Sequence, residues 1–261
     1  MKRHIAYRRT EKPLANGTNG TPRWVMIPVM GVTTLLVLAI ISGSQSTEVL
    51  STLFNCSWAG VILLPAILLG LAMTHRLREL PMMKLSPWPL GFRLILSASL
   101  GMGALSLATL ALGSFGLISG PACGGLLIIS AAAGYPFARQ LKPELQFLLR
   151  PIQRRHWLIL LGCIPIAVLL IAATFPAGTL WHTEGNGFDV LEYHLQLPRQ
   201  FLALHNTSPV HENIYSYMPL NMEMLYLILA AVAKSAVGAG YIYALVFGAQ
   251  ILHVAVTLMA W

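Results

Sequence analysis

Apolar residues in this chain come in long runs separated by short polar stretches. Seven such runs, at about 24–42, 53–74, 92–113, 119–138, 157–176, 219–237 and 240–261, reach the length of a bilayer crossing. A helix needs roughly 20 apolar residues to span the hydrocarbon core. Inside that core the backbone has no water to bond, so each crossing segment must be helical. The pattern therefore predicts an all-α, polytopic transmembrane helical bundle of about seven spans. The fourth run starts loosely, at Gly120, Pro121, Gly124 and Gly125.

The connections differ sharply. Those at 43–52 and 114–118 are short and nearly uncharged, whereas 177–218 is far longer. Within it the period changes. Leu191, Leu195 and Leu202, flanked by Val190, Leu197, Phe201 and Leu204, form a stripe, with Asp189, Glu192, Gln196, Arg199 and Gln200 largely opposite. This predicts an amphipathic helix over 188–204 lying in the outer membrane interface, kinked or split by Pro198.

Composition agrees. The chain is 56% hydrophobic and 10% charged, with a mean hydropathy of +0.68. A net charge of +8 invites a nucleic-acid partner, but the distribution argues against one. If every run crosses, sixteen of the seventeen Lys and Arg fall on one side, leaving Arg199 on the other. The positive-inside rule makes the basic side cytoplasmic, with the N-terminus there and 177–218 outside. Residues 1–23 form a basic cytoplasmic tail, not a cleavable signal, because the charged stretch is long and the apolar run is span-length. Cys56, Cys123 and Cys163 lack metal-ligand spacing. Cys56 and Cys123 both fall near the outer face, which leaves a disulfide open beside a role as small packing residues. The seventh run reaches Trp261 with no polar flank, so the chain is expected to be an N-terminal fragment of a longer protein.

The long connection also gathers the ionisable groups. It holds Glu184, Asp189, Glu192 and Glu212 against Arg199, and four of the eight histidines. Charges collect where water and headgroups reach, yet that does not explain the aromatic residues spread through the segment. A general base must stand beside its acceptor, and an interfacial helix carrying a carboxylate places it there. Each residue also has a plainer reading. Asp189 could simply favour the positive end of a helix. Glu192 could be a solvated face, and His194 could be interfacial packing. Arg199 could meet a lipid phosphate, a headgroup or Glu192. Glu223 lies one turn inside a span, where ionisable groups mark function unless they snorkel out. His182, His205 and His211 have no compact zinc spacing.

"FDVLEYHLQLPRQFL", followed by "YSYMPLNMEMLYL" entering the next span, resembles the first outer loop of bacterial GT-C glycosyltransferases. These are polyprenyl-phosphate-sugar-dependent, multi-span enzymes related to protein O-mannosyltransferases and lipid A aminoarabinose transferases. The likeness covers about 157–261, leaving 24–156 as a four-span N-terminal region. The resemblance implies transfer of a sugar from a polyprenyl-phosphate-linked donor to a glycan, lipid or protein acceptor outside the bacterial inner membrane. It implies Asp189 as the loop carboxylate near the acceptor, with Tyr193 and His194 lining the same cleft and Tyr217, Asn221 and Glu223 at the span entry. Arg199 would serve substrate binding. No resident cofactor is implied with certainty; some relatives use a divalent cation, but no ligand set is visible here. Two departures are plain: four spans precede the likeness, and the further spans and second acidic loop of the family are not in this chain. The rival readings are a multi-span transporter, against which stands the lack of any acidic residue in the first five runs, and a non-catalytic or truncated membrane protein.

Overall fold

The computed structural model describes residues 22–41, 46–80, 88–141, 146, 154–176 and 188–260. The basic tail up to residue 21, the first part of the long connection, and with them His182 and Glu184, lie outside the described residues. Among the described residues the architecture is all-helical. In chain order the main helices are α1 (Met26–Ile41), α2 (Ser46–Glu79), α3 (Leu90–Ser114), α4 (Gly120–Arg139) and α5 (Cys163–Ala172). They continue with α6 (Gln196–Leu204), α7 (Asn221–Val237), a short α8 (Tyr241–Tyr243) and α9 (Ala249–Ala260). Among the described residues, five helical runs are long and apolar enough to cross a membrane: 23–41, 49–79, 90–114, 120–139 and 221–260. The fifth apolar run of the sequence is a shorter apolar helix, Trp157–Ala172. The three cysteines are free thiols, so the disulfide left open by the sequence is not formed.

Helix α2 organises the bundle, with α3 and α4 packed along it. Without a solvent-driven force in lipid, helices associate where small residues let backbones approach. Gly101 of α3 lies so close to α2 that a Cβ there would fall 1.7 Å from the Ala66 carbonyl oxygen, and at Gly134 of α4 it would fall 1.8 Å from that of Leu68. Lower in the same seam the Thr74 and Ser97 hydroxyls bond at 3.0 Å. At roughly 1.5 Å per residue α2 is about 50 Å long, more than the hydrocarbon core, so its last turns with Arg76 and Arg78 extend past it. Arg78, Arg93 and Arg139 then share one end of the α2–α3–α4 unit, and the α3–α4 connection marks the other.

The run 221–260 is a hairpin. Gly238 ends α7 with φ 59° and ψ −130°, a backbone that residues with a Cβ avoid. The chain then folds back: a Cβ at Gly248 would touch Leu229 at 3.2 Å, and Tyr226 meets His253.

One expectation fails here. The sequence reading has 219–237 crossing to the basic side and Lys234 ending there. In the structure Ser106 of α3 donates to the Asn221 carbonyl at 2.7 Å, and Ser235 abuts Gly120, the first residue of α4. Both ends of α7 therefore sit in the half of the bundle nearest the α3–α4 connection, and Lys234 lies there with them. Ten of the α7 residues are buried. A helix so covered by protein need not follow a lipid-crossing path, and hydropathy alone cannot tell the two apart.

Candidate functional site

The second half of the long connection folds onto the α3–α4 end. Its first turn is wide: Val190–His194 forms a π turn, closed by the Leu195 amide donating to the Val190 carbonyl at 3.0 Å. Pro198 explains the break, since it has no N–H for the His194 carbonyl. The extra residue in that turn shifts the helical phase. Leu191, expected in the apolar stripe, is exposed, as is Leu204, while Leu195, Leu197, Phe201 and Leu202 are buried. The apolar face of α6 is covered by protein, chiefly α7, instead of lying free against an interface. Past α6, His205 adopts φ 57°, pairs its Nδ1 with the Ile118 carbonyl at 2.7 Å and accepts from the Ile118 amide at 3.2 Å. The segment thus clasps the α3–α4 connection.

Asn213 binds the two halves of this cap together. Its Nδ2 donates to the Glu192 carbonyl at 3.0 Å and its Oδ1 accepts from the Tyr215 amide at 3.1 Å. Tyr193 stacks on Tyr215, with ring centroids 4.7 Å apart and planes 23° from parallel. Burial, then the charges of Asp189 and Glu223, hold the Tyr193 phenol above its ordinary pKa. Both carboxylates are therefore within electrostatic reach of one ring.

The cap and the α7–α9 hairpin enclose a cleft of about 620 Å³, lined mainly by apolar side chains. That size suits a small ligand or part of a larger one. His194 and Glu223 meet at its wall, Nδ1 against Oε1. Glu223 is 4% exposed, so it neither snorkels nor meets bulk water. Asn221 lines the same cleft. Across it Tyr226 Oη lies 3.3 Å from His253 Nδ1, and Gln250 presents a buried Nε2 with no hydrogen-bond partner.

The residues singled out from sequence divide. His194, Asn221 and Glu223 come together. Tyr193 flanks His194, ring against ring at 4.0 Å. Asp189 is exposed beside the lining residue Val190, and its side chain makes no capping hydrogen bond, so of the plainer readings only its place near the positive end of the helix remains. Arg199 and Tyr217 are exposed and outside the lining, and among the described residues Arg199 donates to Gln196, at 3.4 Å. Tyr226, Gln250 and His253 were not anticipated. Their signal was present: Tyr226 follows Glu223 by one turn on the same face, and Gln250 and His253 interrupt an apolar run with the same spacing. Among the described residues no group of three His, Cys, Asp or Glu side chains could hold a metal ion. No family model, no curated protein and no solved structure matches the chain.

The imidazole–carboxylate pair should show up in stability. His194→Ala leaves a buried carboxyl without its partner, which costs about 1–3 kcal/mol. Adding Glu223→Leu to it should recover part of that loss. Thermal melts of the detergent-purified single and double variants measure the coupling, and strictly additive losses would mean the pair contributes nothing.

Proposed function

We propose that the chain is a membrane glycosyltransferase of the GT-C kind. It moves a sugar from a polyprenyl-phosphate-linked donor to a glycan, lipid or protein acceptor on the outer side of a bacterial inner membrane. The observation that carries this reading is the meeting of the two sequence segments behind the resemblance. His194 of the first and Glu223 of the second are in contact, although the chain between them wanders out to the α3–α4 end. Chemistry that needs both segments requires that closure. In this reading Asp189, at the exposed rim, accepts the proton of the acceptor hydroxyl. The mainly apolar cleft receives the lipid-linked donor, with His194, Asn221 and Glu223 as its polar wall. Arg199 faces headgroup phosphates beside the cleft.

The test is sugar transfer by membranes carrying the full-length protein, supplied with a panel of polyprenyl-phosphate sugars and endogenous acceptors. Donor consumption that depends on Asp189 supports the reading, and no consumption across hexose, pentose and aminopentose donors overturns it. Sidedness is tested separately, in a cysteine-free background. A cysteine at Ser208 should react with an impermeant maleimide in intact cells, while one at Glu79 stays silent until the membrane is opened. The opposite labelling would put the cleft in the cytoplasm and end the proposal.

The burial of Glu223 favours one other reading, a carrier with a proton-linked carboxylate. Solute flux into proteoliposomes, abolished by Glu223→Gln, would select it.

A further inference from the structure

The last stretch of the cap before α7 carries apolar side chains on its outside. Ile214–Tyr217 is a 3₁₀ turn, and at three residues per turn its first and last side chains eclipse. Those two are Ile214, 74% exposed, and Tyr217, 64% exposed, with Met218 following at 52%.

The turn is firmly held from within. The Ser216 hydroxyl accepts from the Val210 amide at 2.9 Å and donates to the Asn213 carbonyl at 2.7 Å. Asn213 receives the Tyr215 amide on its side chain, at 3.1 Å, and the Ser216 amide on its carbonyl, at 3.0 Å. The Met218 amide reaches the Tyr215 carbonyl at 3.1 Å. Asn213 and Ser216 are buried, so the protein meets these backbone groups on the inside while apolar side chains face out. Hydrocarbon admits a non-helical backbone only where its polar groups are met inside the protein.

Depth follows from α3. Trp88 and Phe92 pack edge to face at its basic end, centroids 5.6 Å apart, as aromatic residues do at the headgroup level. A hydrocarbon core of roughly 30 Å corresponds to about 20 residues of helix, so from Phe92 its other face falls near Leu112. The cap is tied to α3 on both sides of that level. The Thr207 amide donates to the Gly113 carbonyl at 3.3 Å, and the Asn221 carbonyl accepts from Ser106 at 2.7 Å. Between these ties the chain descends about 10 Å along α3. Ser216 and Met218 share one small cavity with Leu110 of α3, so the turn lies at the edge of the hydrocarbon. Leu107 and Leu110 are exposed on α3 at this depth. His211 and Glu212, both exposed, precede the turn, and ionisable groups there keep the insertion shallow.

We infer that Ile214, Tyr217 and Met218 form a prong that inserts among the acyl chains of the leaflet at the α3–α4 end. The prong takes the interfacial place that the sequence pattern gave to the helix over 188–204, whose apolar face is covered by α7. Asn213 holds the Glu192 carbonyl and Tyr215 stacks on Tyr193, so the prong sets the height of the cap against the bilayer. None of this depends on which side of the membrane that end faces, or on any reaction in the cleft.

The full chain, freed of its native cysteines, is labelled with a nitroxide at one introduced cysteine at a time and placed in phosphatidylcholine nanodiscs. Collision with oxygen, which concentrates in hydrocarbon, is compared with collision with a neutral nickel chelate, which stays in water. Leu107→Cys on α3 sets the lipid value of the oxygen-to-nickel ratio, and Ser208→Cys sets the water value. Ile214→Cys and Tyr217→Cys should both match the lipid value, several-fold above that of Ser208→Cys. All four side chains are exposed, so the labels leave the fold intact, and an unchanged Tm in detergent checks this. A water-like ratio at either turn position overturns the inference. Protection from both reagents, which would mean that protein covers the turn, overturns it as well.

Discussion

Asp189→Asn in the full-length protein is expected to lower sugar-transfer turnover by about 10²–10⁴-fold while leaving donor-lipid binding intact. Asparagine keeps the shape of the side chain and removes its charge and its capacity to take a proton. Had Asp189 been a helix cap, asparagine would replace it at almost no cost. It makes no capping hydrogen bond, and the dipole interaction of its charge with the helix start is about 0.3–1 kcal/mol, which would lower folded yield and not turnover per folded molecule. Binding should persist because, in the proposed reading, the donor would lie against His194, Asn221 and the apolar lining, none of which changes. Glu192→Gln is the control. Glu192 is exposed, and its tie to the rest of the cap runs through its carbonyl oxygen, which the substitution keeps. Wild-type turnover from Asp189→Asn, at matched protein levels, would leave the cleft without its base.

Gly101→Val should be the most damaging single change to the fold. Ordinary overpacking costs about 1–3 kcal/mol because neighbouring side chains can move aside. Here the nearest atom is a backbone oxygen, 1.7 Å from the new Cβ, so α2 and α3 must separate along their whole seam. A loss at or above the top of that range is expected, seen as a collapse of folded yield in detergent. Gly103→Val, on the face of α3 with nothing within 4 Å, should be tolerated. Equal yields for the two variants would mean that the α2–α3 approach is looser than described.

The helical class and the grouping of the basic span ends were legible in the sequence, because hydrocarbon leaves a backbone few alternatives. The path of α7 was not. Its apolar residues satisfy lipid and protein equally, and only the contacts of Asn221 and Ser235 show which surrounds them. The helix over 188–204 was legible in outline, including its interruption by Pro198. The wide turn before Pro198 moved Leu191 out of the stripe, and a 3.6-residue period carries no information about such a turn. For the site, His194 and Glu223 stood out because ionisable groups are scarce in this chain. Tyr226, Gln250 and His253 did not, since each reads as an isolated polar residue until the hairpin at Gly238 brings Gln250 and His253 against the face of α7 that carries Glu223 and Tyr226.

That hairpin makes the two sides of the cleft mechanically unequal. One side is riveted: Asn221 to Ser106, His205 to Ile118, and Glu192 to Asn213. The other, Ala249–Val254, follows the turn at Gly238–Gly240 and is held by apolar packing on α2, with Ala249, Ile251 and Leu252 buried; among the described residues its polar contact with the first side is that of His253 with Tyr226. The cleft is thus a joint between unlike walls, one tied by directional hydrogen bonds and the other held mainly by packing. Packing resists separation more than sliding, so a change in the width of the cleft is expected on the α9 side.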